Sequence, residues 1–373
     1  MRILITTDVF PPDAGGPATY VPVISEALVK LGHSVQVLTY SRQGPEVEDG
    51  QYLFHVRRIP LDQSRQRRLA EAGAALRRGL SWADLLYANG LLVEAALANI
   101  VYRRPVVAKV VGDIAWERAR DKGWITDEFE EFQHKRYGWR IELRRAWRNW
   151  ALRRARAVIV PSAYLKHVVV GWGIEAERVH VVYNAFEPAD GDVPAVELPL
   201  DTHYRLITVG RLVAWKGIDE LIETIAPMPD IGLVVVGDGP EGKNLEALAG
   251  QLGVRERVHF AGQVSREEVP AYLRACDLLV LNSRYEGLPH VVLEALAVGL
   301  PVVAAAAGGT PEILRGGEHG RLVPPGDTNE LGNAIREVLE MPASRLALNL
   351  PEQFGCRRMI EDTVTVLHES IAQ

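Results

Sequence analysis

Residues 276–297 read CDLLVLNSRYEGLPHVVLEALA. The opening CDLLVLNS is a short strand-like run. Gly287 and Pro289 mark a loop, and the apolar run from Val291 to Ala297 predicts a buried helix. Glu286 then falls just before the helix start and Glu294 about two turns inside it. Eight helical residues turn through roughly 80° beyond two full turns, so the two acids should face broadly the same way. A helix N-terminus offers N–H groups and positive dipole character, which suits a phosphate. Two carboxylates for sugar hydroxyls beside a phosphate seat fit a nucleotide-sugar; the same spacing also fits two ordinary surface glutamates.

The strand-then-helix pattern extends in both directions. MRILITT, HSVQVLTY, ADLLYA, RPVVAKVVG, ARAVIVPS and RVHVVYN are strand-like runs in the first half. RLITVGR, IGLVVVGDG, RVHFAGQV, CDLLVLNS, LPVVAA and GRLVPPGD follow in the second. Longer stretches with helical spacing lie between them, so the fold class is α/β, with parallel sheets covered on both faces. Twelve runs suit two sheets better than one. Proline, acids and glycine concentrate in FEPADGDVPAVELPL at 186–200, which marks a linker and a division between 1–188 and 189–355. RILITTD at residue 2 and RLITVGR at residue 205 open the two halves alike, as two Rossmann-like units would.

At 373 residues the chain is long enough for two cores. Its 47% hydrophobic and 24% charged content excludes disorder. No apolar run approaches the roughly 18 residues of a membrane span. The start, MRILITTDVFPP, reads as a first strand instead of a signal peptide, and the two cysteines, Cys276 and Cys356, fit a reducing cytosol. The expected location is therefore cytoplasmic. The net charge of −6 is unevenly spread: residues 1–190 carry 27 Lys+Arg against 22 Asp+Glu, and the remainder 15 against 26. A basic first half suggests an anionic partner there, a phosphorylated acceptor or a membrane surface. No nucleic-acid-binding motif is recognisable.

Other stretches carry rival readings. Gly15 and Gly16 follow the first strand, where glycines let a backbone approach a ligand or make a tight turn. Arg211 and Lys216 in GRLVAWKG follow the first strand of the second half, where two cations could neutralise a diphosphate leaving group or stay solvated. Gly237–Gly242, GDGPEG, matches G-x-G-x-x-G, but Pro240 removes an N–H and the motif follows the second strand of its unit, so a turn beside a nucleotide cleft is favoured over a dinucleotide site. Asp190 and Asp192 resemble a metal-binding pair but sit between prolines in the linker, and no His/Cys cluster has ligand spacing, so no metal is expected. Asp113 should sit at a sheet's C-terminal edge, as a contact to a sugar or nucleophilic hydroxyl or as a helix N-cap. Between Phe129 and Arg156, Phe132, Trp139, Leu143, Trp147 and Trp150 follow helical spacing beside a stripe of Arg136, Arg140, Arg144 and Arg148. That helix either lies at an anionic membrane interface or packs on a core with a solvated basic side.

Taken together, these strings resemble the retaining glycosyltransferases of family 4, with the GT-B fold. The resemblance is carried by PPDAGGPATYVPVISEALVKLGHSVQVLT, VPSAYLK, VGRLVAWKGIDELIE, VVGDGPEG, the stretch from Arg257 through the Glu286–Glu294 element to Ala304, and GGTPEIL. It implies two Rossmann-like doubly wound domains facing a deep cleft, and a final helix, 356–373, returning to the first domain. The first domain would bind the acceptor and the second a nucleotide-sugar. It implies that Arg211 and Lys216 hold the diphosphate and Glu294 the ribose. Glu286, with the backbone of Gly287, Leu288 and Pro289, would hold sugar hydroxyls and phosphate. Val264 would meet the base through its backbone; the functional reading of Gly15 and Gly16, taken from the residues themselves, has their loop line the interdomain cleft and contact the donor diphosphate or the acceptor. Two positions depart from the family: Asp113 stands where many members have His, and Asn184-Ala185 where Asn-Gly is common.

The resulting expectation is a metal-independent, retaining transferase with no cofactor, acting by front-face transfer from a UDP-, GDP- or ADP-sugar. Glu286, Arg211, Lys216 and Asp113 are its catalytic candidates. The hydroxyl acceptor is open between a lipid-linked glycan and a small molecule, with peripheral contact at the inner face of an anionic membrane in the first case. Two alternatives remain: a non-catalytic nucleotide-sugar-binding protein, and an NAD-dependent enzyme using Gly237–Gly242.

Overall fold

The computed structural model describes residues 1–13, 15–42, 49–186, 194–317, 319–341 and 350–372. Asp190, Asp192 and the 188/189 division lie outside them. The chain forms two compact units: Met1–Thr126 with Phe132–Asn184 and Arg357–Gln373, and Asp127–Glu131 with Ala185–Cys356.

The strands of the first unit are β1 (Arg2–Thr7), β2 (Ser34–Ser41), β3 (His55–Pro60), β4 (Leu85–Ala88), β5 (Val106–Lys109), β6 (Ala157–Val160) and β7 (Val179–Val181). Those of the second are β8 (Tyr204–Val209), β9 (Ile231–Val236), β10 (Val258–Gly262), β11 (Leu278–Leu281), β12 (Val302–Ala305) and β13 (Arg321–Val323). The helices, in chain order, are α1 (Gly16–Lys30), α2 (Arg65–Trp82), α3 (Leu92–Tyr102), α4 (Ile114–Asp121), α5 (Phe129–His134), α6 (Trp139–Leu152) and α7 (Ala163–Gly171). They continue as α8 (Ile218–Ile225), α9 (Gly242–Gln251), α10 (Val269–Arg274), α11 (His290–Ala297), α12 (Thr310–Ile313), α13 (Thr328–Glu340) and α14 (Cys356–Ala372).

The sheet orders are β3-β2-β1-β4-β5-β6-β7 and β10-β9-β8-β11-β12-β13. Every pairing is parallel; β8 aligns with β9 from Tyr204↔Ile231 to Val209↔Val236, and with β11 at Leu206↔Leu278. Helices on both faces bury the central strands completely, which is why β9 (IGLVVV) and β11 (LLVL) are apolar throughout. In the second unit, Leu206, Leu233, Val280 and Val303 meet Leu221, Leu331 and Ile335 from the covering helices. In each sheet the order reverses direction between the first strand and the fourth, β1/β4 and β8/β11. Ligands in such folds sit outside the strand ends at that switch point.

Among the described residues there is one strand more than the sequence suggested. β3, HVRRIP, is an edge strand, so it escapes double burial and carries two arginines and a terminal proline. The 129–156 stretch also differs from expectation. Residues 135–138 break it into α5 and α6, with Gly138 in an extended conformation (φ −59°, ψ 155°) as the α6 N-cap. Arg136 therefore lies off the helix, and Arg148 turns inward and is buried, so only Arg140 and Arg144 of the expected stripe remain on the α6 surface.

α14 buries Met359, Thr363, Val366, Leu367 and Ser370. Within the first unit, the Tyr20 hydroxyl bonds both Thr363 (3.0 Å) and Tyr87 (2.6 Å), and Arg156 donates to the Ser370 carbonyl at 2.8 Å. Lys109 at the end of β5 is buried, with its Nζ 3.5 Å from the centre of the Tyr20 ring. Burial pulls its pKa down to about 7.

Candidate functional site

Two loops leave the sheet at the β8/β11 switch point. One runs from Gly210 through Arg211 to a 3-10 turn at Ala214–Lys216; the other spans Asn282–Pro289 and leads into α11. They are tied together at backbone level, since Arg284 N–H donates to the Trp215 carbonyl at 2.8 Å. Asn282 Nδ2 donates to the Gly217 carbonyl (3.0 Å) and to Glu220 (3.0 Å). On that frame Lys216 Nζ meets Glu286 Oε1 at 2.6 Å, with side chains only 18% and 12% exposed. The cation and the acid are thus directly paired and largely shielded, which fixes the orientation of both. Arg211, in the same loop, is exposed.

Glycines hold this geometry from behind. The Glu286 carbonyl accepts from Gly309 N–H at 3.0 Å. Gly308 adopts φ +58°, and a Cβ on it would lie 1.8 Å from that same carbonyl oxygen, so no larger residue fits. The sequence reading did not assign Gly308 and Gly309 this positioning role. The signal was present, in paired glycines separated by two residues from the strand-like LPVVAA. The Gly237–Gly242 turn presses on the other loop: a Cβ on Gly237 would meet the Gly210 oxygen at 2.0 Å, and one on Gly239 the Leu212 oxygen at 2.3 Å. Leu212 N–H donates to the Asp238 carbonyl at 3.0 Å. Close packing against the Arg211 loop accounts for these glycines without a dinucleotide.

Glu294 is the fifth residue of α11 and only 8% exposed. Burial raises its carboxyl to about 6, opposed by the positive charge of Arg266. It lies a little over one turn into the helix, not two, and Glu286 lies off the helix altogether. The cause is Pro289, which is extended (φ −74°, ψ 115°) and delays the helix to His290. Leu288 and Pro289 are buried and Gly287 is half-buried, and α11 has no side-chain cap. Val264 is half-buried, two residues beyond β10. A depression of about 450 Å³ behind the Arg211–Lys216 loop is lined by Asp219, Glu223 and Glu241, which makes it a poor seat for a diphosphate.

The remaining candidates belong to the first unit. Gly15 and Gly16 are exposed at the start of α1, where Gly15 is the N-cap. Asp113 is fully buried and caps α4, accepting from Ala115 N–H at 3.0 Å. It also pairs with Arg148 at 2.5 Å and accepts from Gln133 at 3.3 Å. Arg148 stacks 3.5 Å from the Trp172 ring centre, and Trp172 Nε1 donates to Gln133 at 2.8 Å. The structure gives Asp113 the helix cap that was one of its two sequence readings and adds an ion pair with Arg148. Among the described residues no group of three or more His, Cys, Asp or Glu side chains is arranged to hold a metal ion.

Family models cover most of the chain. Glycosyltransferase Family 4 matches residues 14–190, and Glycosyl transferases group 1 matches residues 194–355. Alpha-D-kanosaminyltransferase of Streptomyces kanamyceticus is 35% identical over 184 residues, 46% of this chain and 48% of its own. The match thus spans about half the length of that relative. An uncharacterized glycosyltransferase, MJ1607 of Methanocaldococcus jannaschii, is 27% identical over 395 aligned positions, covering 98% of this chain and 97% of its own. The crystal structure of Anabaena Alr3699/HepE in complex with UDP and glucose superposes with a TM-score of 0.78 at 24% identity, covering 99% of this chain and 100% of that one. At that identity the likeness speaks for the fold, which is GT-B.

Proposed function

The chain belongs to glycosyltransferase family 4, and from that premise we propose that it moves a sugar from a nucleoside-diphosphate-sugar to a hydroxyl acceptor with retention at the anomeric carbon. The observation that carries the reading is the shielded Lys216–Glu286 pair at 2.6 Å, built on the two loops that flank the β8/β11 switch point. A donor diphosphate placed there meets Lys216 and the exposed Arg211, whose charge offsets what develops on the leaving group. Glu286, oriented by Lys216, accepts from sugar hydroxyls, and the buried Glu294 accepts from the ribose. Two cations and the α11 N-terminus supply the electrostatic work, so the proposed reaction needs no metal ion, and no side chain is assigned as a covalent nucleophile. Front-face attack by the acceptor hydroxyl then preserves configuration.

The proposed acceptor hydroxyl belongs either to a lipid-linked glycan or to a small molecule. In the first case the enzyme works from the cytoplasm in peripheral contact with an anionic membrane. No described helix is long and apolar enough to cross one.

The test is a thermal-shift screen of the purified chain against UDP-, GDP- and ADP-sugars, starting with UDP-glucose because HepE was crystallised with UDP and glucose. Donor at 100 times its dissociation constant adds about 2.7 kcal/mol. Hydrolysis or transfer of the stabilising donor, persisting in excess EDTA, supports the proposal. Donor binding without turnover by any acceptor points to a non-catalytic binding protein, and loss of activity in EDTA that Mg²⁺ or Mn²⁺ restores overturns metal independence.

A further inference from the structure

α3 and α6 pack against each other in the first unit and present large apolar side chains to solvent. On α3 these are Leu97, Ile100 and Val101, at i, i+3 and i+4; on α6 they are Trp139, Leu143 and Trp147, at i, i+4 and i+8. Val101 is 79% exposed and Trp139 72%. Exposed apolar residues clustered in this way mark an interaction surface. Arg140 and Arg144 run along the flank of the α6 row, and both lie within 5.9 Å of the ring of Trp124, itself exposed. α6 contains a single acid, Glu142, and it is taken up by Arg145 (2.9 Å) and the Tyr137 N–H (3.0 Å).

We propose that the α3–α6 face seats the protein on an anionic lipid surface, with its tryptophans at headgroup depth and Arg140 and Arg144 on lipid phosphates. The proposal rests on the membrane-contact reading above and names the surface that makes the contact. Charge decides the occupant. A second copy joined through the same face would bring the arginine-rich flank of α6 against itself, which like-charge repulsion opposes. An anionic bilayer meets both components at once: indoles favour the headgroup layer, and guanidinium groups gain from the surface potential. The sequence reading set Trp139, Leu143 and Trp147 beside a four-arginine stripe; the structure keeps Arg140 and Arg144 of that stripe and adds the apolar row of α3.

Flotation of the full chain with phosphatidylcholine vesicles, with and without phosphatidylglycerol, tests this. The wild type should float with the mixed vesicles, and brominated acyl chains should quench its tryptophan fluorescence. The triple variant Trp139→Ser, Leu143→Ser, Trp147→Ser should bind on the order of a hundredfold more weakly, as loss of an inserted apolar face demands. Arg140→Gln with Arg144→Gln should cost roughly thirtyfold, about fivefold per cation near the surface. Unchanged thermal midpoints check that the variants fold. Binding of UDP without vesicles reads the donor site separately, so failure of the transferase reading and failure of this one are distinguishable. Undiminished flotation of the triple variant, or no flotation of the wild type, overturns the proposal. A dimer in sedimentation that the triple substitution dissolves would assign the face to a second copy instead.

Discussion

The first unit and the second share the strand order of their first six strands, β3-β2-β1-β4-β5-β6 against β10-β9-β8-β11-β12-β13, but deploy charged and apolar side chains differently. Of the large apolar side chains exposed among the described residues, only Leu252 belongs to the second unit. Residues 1–190 are net basic, whereas 191–373 carry 15 Lys+Arg against 26 Asp+Glu. The acidic half nonetheless holds the two cations assigned to a diphosphate. One doubly wound scaffold thus supports two electrostatic strategies. The second unit pairs Lys216 with Glu286 in a net acidic half, so the proposed donor diphosphate would be held there by placed groups and not by a diffuse field. The first unit spreads its surface cations widely and keeps Arg148 as a buried structural ion. Position relative to the sheet, more than total charge, decides what an arginine or lysine does.

The sharpest way to break this comparison is to remove one cation from each unit. Arg148→Ala should destabilise the protein by about 3–5 kcal/mol, because it leaves the Asp113 carboxylate buried without its ion partner. Chemical denaturation reads this, and UDP affinity of the folded fraction should be unchanged. Lys216→Ala should do the reverse. Turnover at saturating donor should fall roughly 10²–10³-fold, about 2.7–4 kcal/mol of transition-state stabilisation, with a smaller effect on stability. If Arg148→Ala abolishes UDP binding in folded protein, or Lys216→Ala leaves turnover intact, the division of labour is wrong.

Glu294→Gln sharpens the donor side. Losing a charge-assisted acceptor should weaken nucleotide binding by about 1.5–3 kcal/mol, measured by calorimetry. The pH dependence follows from the raised carboxyl. The folded group ionises at about 6, and the ordinary value is 4.5, so the unfolded state holds fewer protons between these values. Stability should therefore fall as pH rises through that window, while nucleotide affinity should rise as Glu294 ionises near pH 6. In Glu294→Gln both trends should flatten. The smallest expected effect is of salt on UDP binding: raising ionic strength should change it by no more than about threefold, because Lys216 is shielded and only Arg211 of the two proposed cations is open to screening. Vesicle binding through the exposed Arg140 and the half-buried Arg144 should fall much more steeply over the same range.

Legibility in the sequence followed sequence separation and burial. Doubly buried strands such as IGLVVV announce themselves by composition, and the edge strand HVRRIP does not. Arg211, Lys216, Glu286 and Glu294 could be singled out because turn residues surround them. The pairing of Lys216 with Glu286 could not be read locally, since 70 positions separate them. Asp113 was legible as an N-cap but not as the partner of Arg148, because periodicity carried through 135–138 put that arginine on the surface. The glycines at 237 and 239 were visible as a turn, and Gly308 only as part of the string GGTPEIL. What they press against became visible only with the neighbouring loops in place.

The return of α14 to the first unit has a consequence for synthesis on the ribosome. Residues 185–356 must all be made between Asn184 and the segment that completes the first unit. At about 5–20 residues per second, that is a wait of roughly ten to thirty seconds. Throughout it the Tyr20 hydroxyl lacks Thr363, and the surface that Met359, Val366 and Leu367 will cover stays open. The second unit needs nothing beyond Cys356 and is able to close on itself first. The half translated earliest is thus the half completed last.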